Sequence, residues 1–514
     1  MNIQRLLFCG ILLAGLTVCV RAQEEEENAA AESTVEMETA AENPVEIAVE
    51  NTVETAAEIP AIEGALNLGG PAAAYYDYGD GQKHFFWALG GNLFSNVFLA
   101  GVNRYIGRVS WAQSSVASIK DNFSQTKNGE WDWDNDVYFT NQAGHVYEGA
   151  AYYTAARANG FGFWGSLGFA LFGSASWELI VETITPSLND IIVTPVGGAQ
   201  LGEMMHRLHR EIANPVGAFV ASPMDSLNRL SGRKPYRGER NIYQVSSNAG
   251  AAWVSQQHIM GGDTYSKDNK ITLDLGGKVI YGDPFIQQSS APYDHFELQV
   301  RVGGAMPLFY YFHLFSDGYM FSYSVSNTAK KQESTGLTLH YDVVSTKFFD
   351  FGSQALAWTL KYRRELAGDL SMELKAHLGS TFFGAQNYYY YDATLEEVVS
   401  GRDYSMGPMA KAAFSLIHPR YGQFSFDLMV HQLFISFANK RIPRPEGIDY
   451  FWFADVSYLY PLNKNFSLGI SDSFAHKIGG YTGVAENYKW NNTVKVFVQY
   501  SAKGSAFPRE RYRP

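Results

Sequence analysis

The sequence predicts an α+β chain: an N-terminal helical module followed by an antiparallel transmembrane β-barrel of about twelve strands. Three observations lead there. From about Asn241 to Tyr500 the apolar residues recur with a period of two, whereas from Phe85 to about Arg240 their spacing is helical. Phe, Tyr and Trp make up 15% of the chain against 18% for all charged residues, and Gly reaches 48. The chain opens on an apolar leader of the export type. At 514 residues it exceeds one ordinary domain. The aromatic content excludes a disordered chain, and the net charge of -12 has the wrong sign for a nucleic-acid partner.

The leader reads as a signal peptide at 1–22. Arg5 supplies a basic start, Leu6 to Val20 an apolar run, and Val20-Arg21-Ala22 a small-residue cleavage site. The run is short for a membrane span, which needs about 20 residues. Both cysteines, Cys9 and Cys19, lie inside it, so a mature chain would use neither disulfides nor thiol chemistry. Leu16-Thr17-Val18-Cys19 also resembles a relaxed lipoprotein signal, which would lipidate Cys19, although Val18 is bulky for that site. Residues 23–64 form an acidic low-complexity linker. Glu24 to Glu63 holds thirteen Glu and no Lys or Arg, with an imperfect repeat in ENPVEIAV and ENTVETAA. Dense like charge without aromatic residues keeps such a segment unfolded. It reads as a periplasmic spacer or, alternatively, as a tether for a basic periplasmic partner. Without the leader and linker the chain is nearly neutral.

The barrel is expected over 236–500, with a tail at 501–514. Leu337, Leu339, Tyr341 and Val343 alternate with Thr338, His340 and Asp342. Leu356, Trp358, Leu360 and Tyr362 alternate with Ala357, Thr359, Lys361 and Arg363. Such alternation gives each strand one apolar and one polar face. About twelve runs have the length of about 9–11 residues that a transmembrane strand needs, with ten or fourteen left open. Aromatic clusters such as Phe309 to Phe312 and Tyr450 to Phe453 resemble membrane girdles. No segment after the leader reads as a clean transmembrane helix, so a closed barrel is the available spanning structure. Short connections near 367–369, 419–421 and 461–463 alternate with long ones at 384–405, 438–448 and 478–486, which puts the C-terminus and the linker in the periplasm. The inward set is of mixed sign: Asp274, Lys278, Glu297, Arg301, Lys361, Arg363, Glu373, Lys375 and Asp427, with His340, His377 and His431. A soluble β domain is the alternative.

The helical module spans 65–235. Phe85 to Ile106 is apolar but carries Asn92, Asn96 and Asn103 on one face. Further helices are expected at Asn141 to Ala158, at Phe163 to Glu182, and from Gly197 to about Ile212. Small residues such as Gly149, Gly173, Gly198 and Gly202 permit close helix contacts. Polar residues fall where a core would not place them. His145, Glu178, Glu182 and Asp190 are the candidate catalytic groups, with His145 as a base and Glu148 one turn away. Arg157, Glu203 and Arg207 are candidates for a structural ion-pair network. Glu203 and His206, a single Glu-x-x-His on a helix, could supply two metal ligands, although a di-iron bundle needs two copies.

The stretch from Trp131 to Leu208 joins Thr140-Asn141, His145, Gly149, Tyr152-Tyr153, Ala156-Arg157 and Asn159-Gly160. It goes on to Gly173-Ser174, Trp177-Glu178, Glu182, Pro186-Ser187, Asp190, Gly197-Gly198-Ala199 and Gly202-Glu203. This pattern, over roughly 110–215, resembles the bacterial family called domain of unknown function 3943. The chain departs from it at Val146, where members often have Pro. The resemblance implies a cell-envelope protein, often with a following β-rich segment, and implies no activity or cofactor.

Three functional expectations follow. The first is an exported outer-membrane barrel, in contact with outer-membrane lipid, whose helical module packs against or plugs it. The second is an envelope hydrolase or metal enzyme built on His145, Glu178, Glu182, Asp190, Glu203 and His206. The third is a periplasmic assembly or tethering factor. The residues specify no cofactor.

Overall fold

The computed structural model describes residues 82–502 apart from 134–137, 213, 231–240, 286–288, 290, 306–307, 368, 393–396, 439–446 and 482–486. The expected leader, the acidic linker and all but the first two tail residues lie outside the described residues.

Among the described residues, seven α-helices precede the strands. They are α1 (Phe85–Gly101), α2 (Val116–Asn128), α3 (His145–Arg157), α4 (Phe163–Ser176), α5 (Leu188–Glu211), α6 (Pro215–Ala221) and α7 (Pro223–Leu230). Three π-helical segments extend the bundle: Val102–Gly107 after α1, Thr140–Gly144 before α3 and Trp177–Val181 after α4. The expected fourth helix starts earlier than Gly197. Pro195 does not break it, because packing on both sides holds one continuous α5 of 24 residues. Asp190 therefore sits in the first turn of a helix and not in a loop. The sequence reading missed α2, whose signals are local: Ser115 and Ser118 form a reciprocal capping box, and Gly129 ends the helix in the left-handed conformation.

Twelve strands follow. The first six are β1 (Ile242–Met260), β2 (Asp263–Tyr281), β3 (Phe296–Ala305), β4 (Leu308–Asn327), β5 (Lys331–Thr346) and β6 (Asp350–Glu365). The rest are β7 (Ser371–Asp392), β8 (Glu397–His418), β9 (Gly422–Ala438), β10 (Gly447–Pro461), β11 (Phe466–Tyr481) and β12 (Asn487–Ala502). Each pairs antiparallel with its sequence neighbours, and β12 pairs back onto β1 from Val245 opposite Ala502 to Met260 opposite Asn487. The sheet is a closed barrel without an edge. The even strand number brings the start of β1 and the end of β12 to one rim, here the terminal rim.

Two connections differ from expectation. Most of 384–405 is strand, so β7 and β8 form a long hairpin. The connection 282–295 lies on the terminal rim, where short turns were expected. It is long because it packs on the helices: Tyr293 is fully buried and its hydroxyl donates to Gln200 Oε1 at 3.1 Å.

The polar face of the strands points inward and fills the lumen. Lys411 Nζ on β8 lies 2.6 Å from Asp342 Oδ2 on β5, and Arg301 Nη1 on β3 lies 3.3 Å from Asp455 Oδ2 on β10. Toward the other rim the filling is aromatic. Phe351 of β6 stacks on Phe451 of β10 with centroids 3.8 Å apart, and Phe315 of β4 meets Phe453 of β10 at 5.0 Å. Strands β4 and β10 are opposite walls, so these side chains bridge the barrel. A cavity of about 190 Å³ remains, lined by Lys278, Arg363, Glu373, Lys375, Asp427 and Lys495 among others.

The described helices of the module accordingly lie outside the barrel and do not plug it. Face alternation shows where it sits. Tyr341 and Val343 share the face opposite to lumen-facing His340 and Asp342, yet both are 1% exposed. They are covered by Tyr138, Val146 and Val193 of the module. Ile242, Tyr281, Phe296 and Leu339 cluster likewise with Tyr152, Tyr153, Phe163 and Met204. The module packs on the outer wall of the barrel, from β1 to β8. Elsewhere the same outward face is apolar and exposed, as at Ile271, Leu378, Ile470 and Val496.

Within the module α3 and α5 touch through backbone. A Cβ on Gly149 would lie 1.8 Å from Thr194 O, and one on Gly198 would lie 2.4 Å from Gly149 C. Gly198→Val is expected to destabilise the module by at least about 1–3 kcal/mol. Thermal melting followed by helical circular dichroism should shift down, while the heat-modifiable gel mobility of the barrel should persist.

Candidate functional site

The four candidate catalytic residues come together at the end of the module remote from the terminal rim. His145 opens α3, with Glu148 one turn on. Glu178 lies in the π-helical segment, Glu182 caps it, and Asp190 comes from the first turn of α5. His145 Nδ1 is 3.3 Å from Glu148 Oε2, and its Nε2 is 3.6 Å from Asp190 Oδ1. The imidazole is thus held between two carboxylates. All five groups are buried, between 1% exposed at Glu178 and 7% at Glu148.

Neighbouring segments set these carboxylates by hydrogen bonds. The backbone N–H of Ser187 donates to Glu178 Oε2 at 2.7 Å, and Trp177 Nε1 donates to Glu182 Oε1 at 2.7 Å. Asn122 of α2 donates to the carbonyls of Glu178 and Glu182 at 3.1 and 2.8 Å. The Tyr152 hydroxyl bonds both Glu148 and Asn96. Glu178 Oε1 has no hydrogen-bond partner among the described residues. Four carboxylates thus surround one imidazole, and two of them, Glu148 and Asp190, face its two ring nitrogens. The sequence reading missed Asn122 and Tyr152. Their signals were Asn96 on the first helix, and Tyr152 one turn after Glu148 on the same face.

The remaining candidates form a separate network. Glu203 takes Arg157 Nε at 2.6 Å and Nη2 at 2.9 Å, Arg207 Nε at 2.8 Å and the Tyr153 hydroxyl at 2.7 Å. Arg207 Nη2 continues to Asp294 at 3.1 Å in the long connection of the barrel. The suggested metal pair of Glu203 and His206 does not form. Glu203 is taken up by its two arginines, whereas His206 Nδ1 turns to Asp225 Oδ1 of α7 at 2.8 Å. Three residues inside the barrel, His295, Glu297 and Asp317, do bring ligand atoms close together. Lys361 Nζ already serves them, at 2.8, 3.0 and 3.0 Å respectively. The chain supplies its own cation there.

Glu203 is fully buried between two guanidinium groups, so removing it strands both charges. Glu203→Leu is expected to cost about 3–5 kcal/mol, the scale of a broken buried pair. The check is thermal unfolding in detergent, where Arg157→Met combined with Glu203→Leu should recover part of the loss.

No curated protein matches the chain. Among solved structures, an outer membrane channel from Pseudomonas putida F1 aligns at 8% identity and a TM-score of 0.27, over 51% of this chain and 97% of its own. The Pseudomonas putida toluene transporter TodX aligns at 9% identity and a TM-score of 0.23, over 50% of this chain and 89% of its own. The translocator domain of autotransporter NalP from Neisseria meningitidis aligns at 12% identity and a TM-score of 0.24, over 51% of this chain and 90% of its own. Residues 130–229, which contain the acid–histidine cluster and the Glu203 network, match the family described as Domain of unknown function (DUF3943), the family that the sequence resembles.

Proposed function

We propose that the chain is a non-conducting outer-membrane barrel whose work is to hold the helical module against its outer wall. The terminal rim faces the periplasm in this reading, so the acidic linker hangs there. Its run of Glu residues is then available to a basic periplasmic partner. The observation that carries the proposal is the lumen, crossed by ion pairs and by aromatic rings from opposite strands. A pore needs a continuous water path, and these side chains interrupt it. Opposite charges inside the barrel neutralise one another, which removes the single-sign lining that ion selectivity uses.

Planar-bilayer recording tests this. The purified chain is expected to show no steady open level. Phe451→Ala combined with Phe453→Ala removes the rings that reach β4 and β6, and should introduce conductance events. A stable ohmic open state in the unmodified chain would contradict the proposal.

A further inference from the structure

We propose that the helical module itself lies in the hydrocarbon layer beside the barrel, with lipid acyl chains covering its outer face. The inference rests on the barrel spanning the outer membrane and goes beyond it.

The four main helical segments run antiparallel, up and down the wall. Glu211, at the end of α5, accepts from the backbone N–H of Asn241 at 2.6 Å just before β1, so that end lies at the terminal rim. His84 donates from its backbone to Asn159 O at 2.9 Å, which brings the start of α1 and the end of α3 together. Asn159 in turn donates to Asn228 Oδ1 of α7 at 2.9 Å, and α7 holds His206 of α5 through Asp225. At the far end Trp133 stacks against the outward-facing Phe383 and Tyr404, and the Asn141 side chain donates to Tyr404.

Lengths fit the layer. Phe85–Gly107 is 23 residues, and α5 is 24. At about 1.5 Å per residue these reach about 34 and 36 Å. The other two segments, Thr140–Arg157 and Phe163–Val181, reach about 27 and 28 Å by the same rise. The hydrocarbon core is about 30 Å thick. The sequence reading found no spanning helix after the leader, yet Phe85–Gly107 is long and apolar enough to cross. Its asparagines weakened the signal, but Asn92 and Asn96 turn inward. Asn92 is fully buried and donates to Phe169 O at 2.8 Å, and Asn96 donates to Gly173 O at 3.3 Å.

The module is inverted relative to a water-soluble bundle. Among the described residues of these four segments, every exposed one is Phe, Trp, Leu, Ile, Val, Tyr or Gly, and none is charged. Phe86 is 83% exposed, Val97 71% and Trp164 66%. The carboxylates and His145, His206 and Arg207 are buried in the interior, where no lipid meets them, while Arg104 and Arg210 near segment ends are half-buried. Exposed charge reappears only beyond the ends. Lys83 precedes α1, and α2, which caps the far end, exposes Lys120, Asp121 and Lys127. The apolar face of the module and the apolar wall of the barrel form one band. Acyl chains are the solvent common to both.

Site-directed spin labelling in liposomes of outer-membrane lipid tests the inference. Cysteines are placed singly at Val97, Phe172, Lys120 and Val496 in the full chain carrying Cys9→Ser and Cys19→Ser. Labels at Val97 and Phe172 should be reached by oxygen and shielded from a water-soluble nickel chelate to the same degree as Val496 on the barrel wall. The label at Lys120 should show the reverse order. Nickel access at Val97 and Phe172 equal to Lys120 overturns the inference. Dipolar broadening at Val97, which would mean a second copy on this face, also overturns it. Nickel access at Val496 would instead strike the barrel's own membrane placement.

Discussion

The pairing of β12 with β1 is the constraint from which the rest follows. Closure satisfies every strand edge and divides the side chains into two sets that cannot exchange. The inward set is polar except for the aromatic rings toward the other rim, and its charges pair with one another. Lys361 meets His295, Glu297 and Asp317, while Asp274 is met by Arg301 and Lys495. Once the lumen is occupied in this way, a further domain can dock only outside. The outer face of β1 to β8 is where it does so, and Gln354 and Gly352 of β6 face helical residues there in place of lipid.

That placement explains the composition of the helices. On the proposed placement in lipid, the bundle gains little from burying leucine, since its surroundings are already apolar. What it can gain is close backbone contact and satisfied polar groups. Both are present. Gly149 and Gly198 bring α3 and α5 together, Gly173 receives the ring of Tyr152, and Gly202 that of Tyr153. Glu203, Arg157 and Arg207 pair in the interior. The His145 cluster differs from this network, because its carboxylates outnumber its cations. Such an imbalance is costly where the carboxylates are buried from water.

The barrel was largely legible in the sequence because its signal is local. A period of two repeated about twelve times needs no knowledge of partners, and the charged residues expected inside, such as Lys361 and Glu297, are inside. The ends of β7 and β8 were not legible: 384–405 read as a long connection, yet most of it is strand. The lumen-facing role of His340 and the wall-facing role of Tyr341 followed from alternation. That Tyr341 meets Gln142 of the module and not lipid did not, because nothing in β5 records what lies beside it. In the module, the four residues singled out by identity lie together, whereas the element boundaries misled. The fourth helix was expected from Gly197 although it begins at Leu188, and Glu203 with His206 suggested one site although they turn to different helices.

The seam between helices and wall is tested most directly by photo-crosslinking from the wall. A benzophenone amino acid at Tyr341, on the covered part of the outer face, should react within the chain and join the segment Thr140–Arg157. The same group at Val496, on the uncovered part, should react with lipid. A lipid adduct at Tyr341 equal to that at Val496 would contradict a helical module docked on the outside of the barrel.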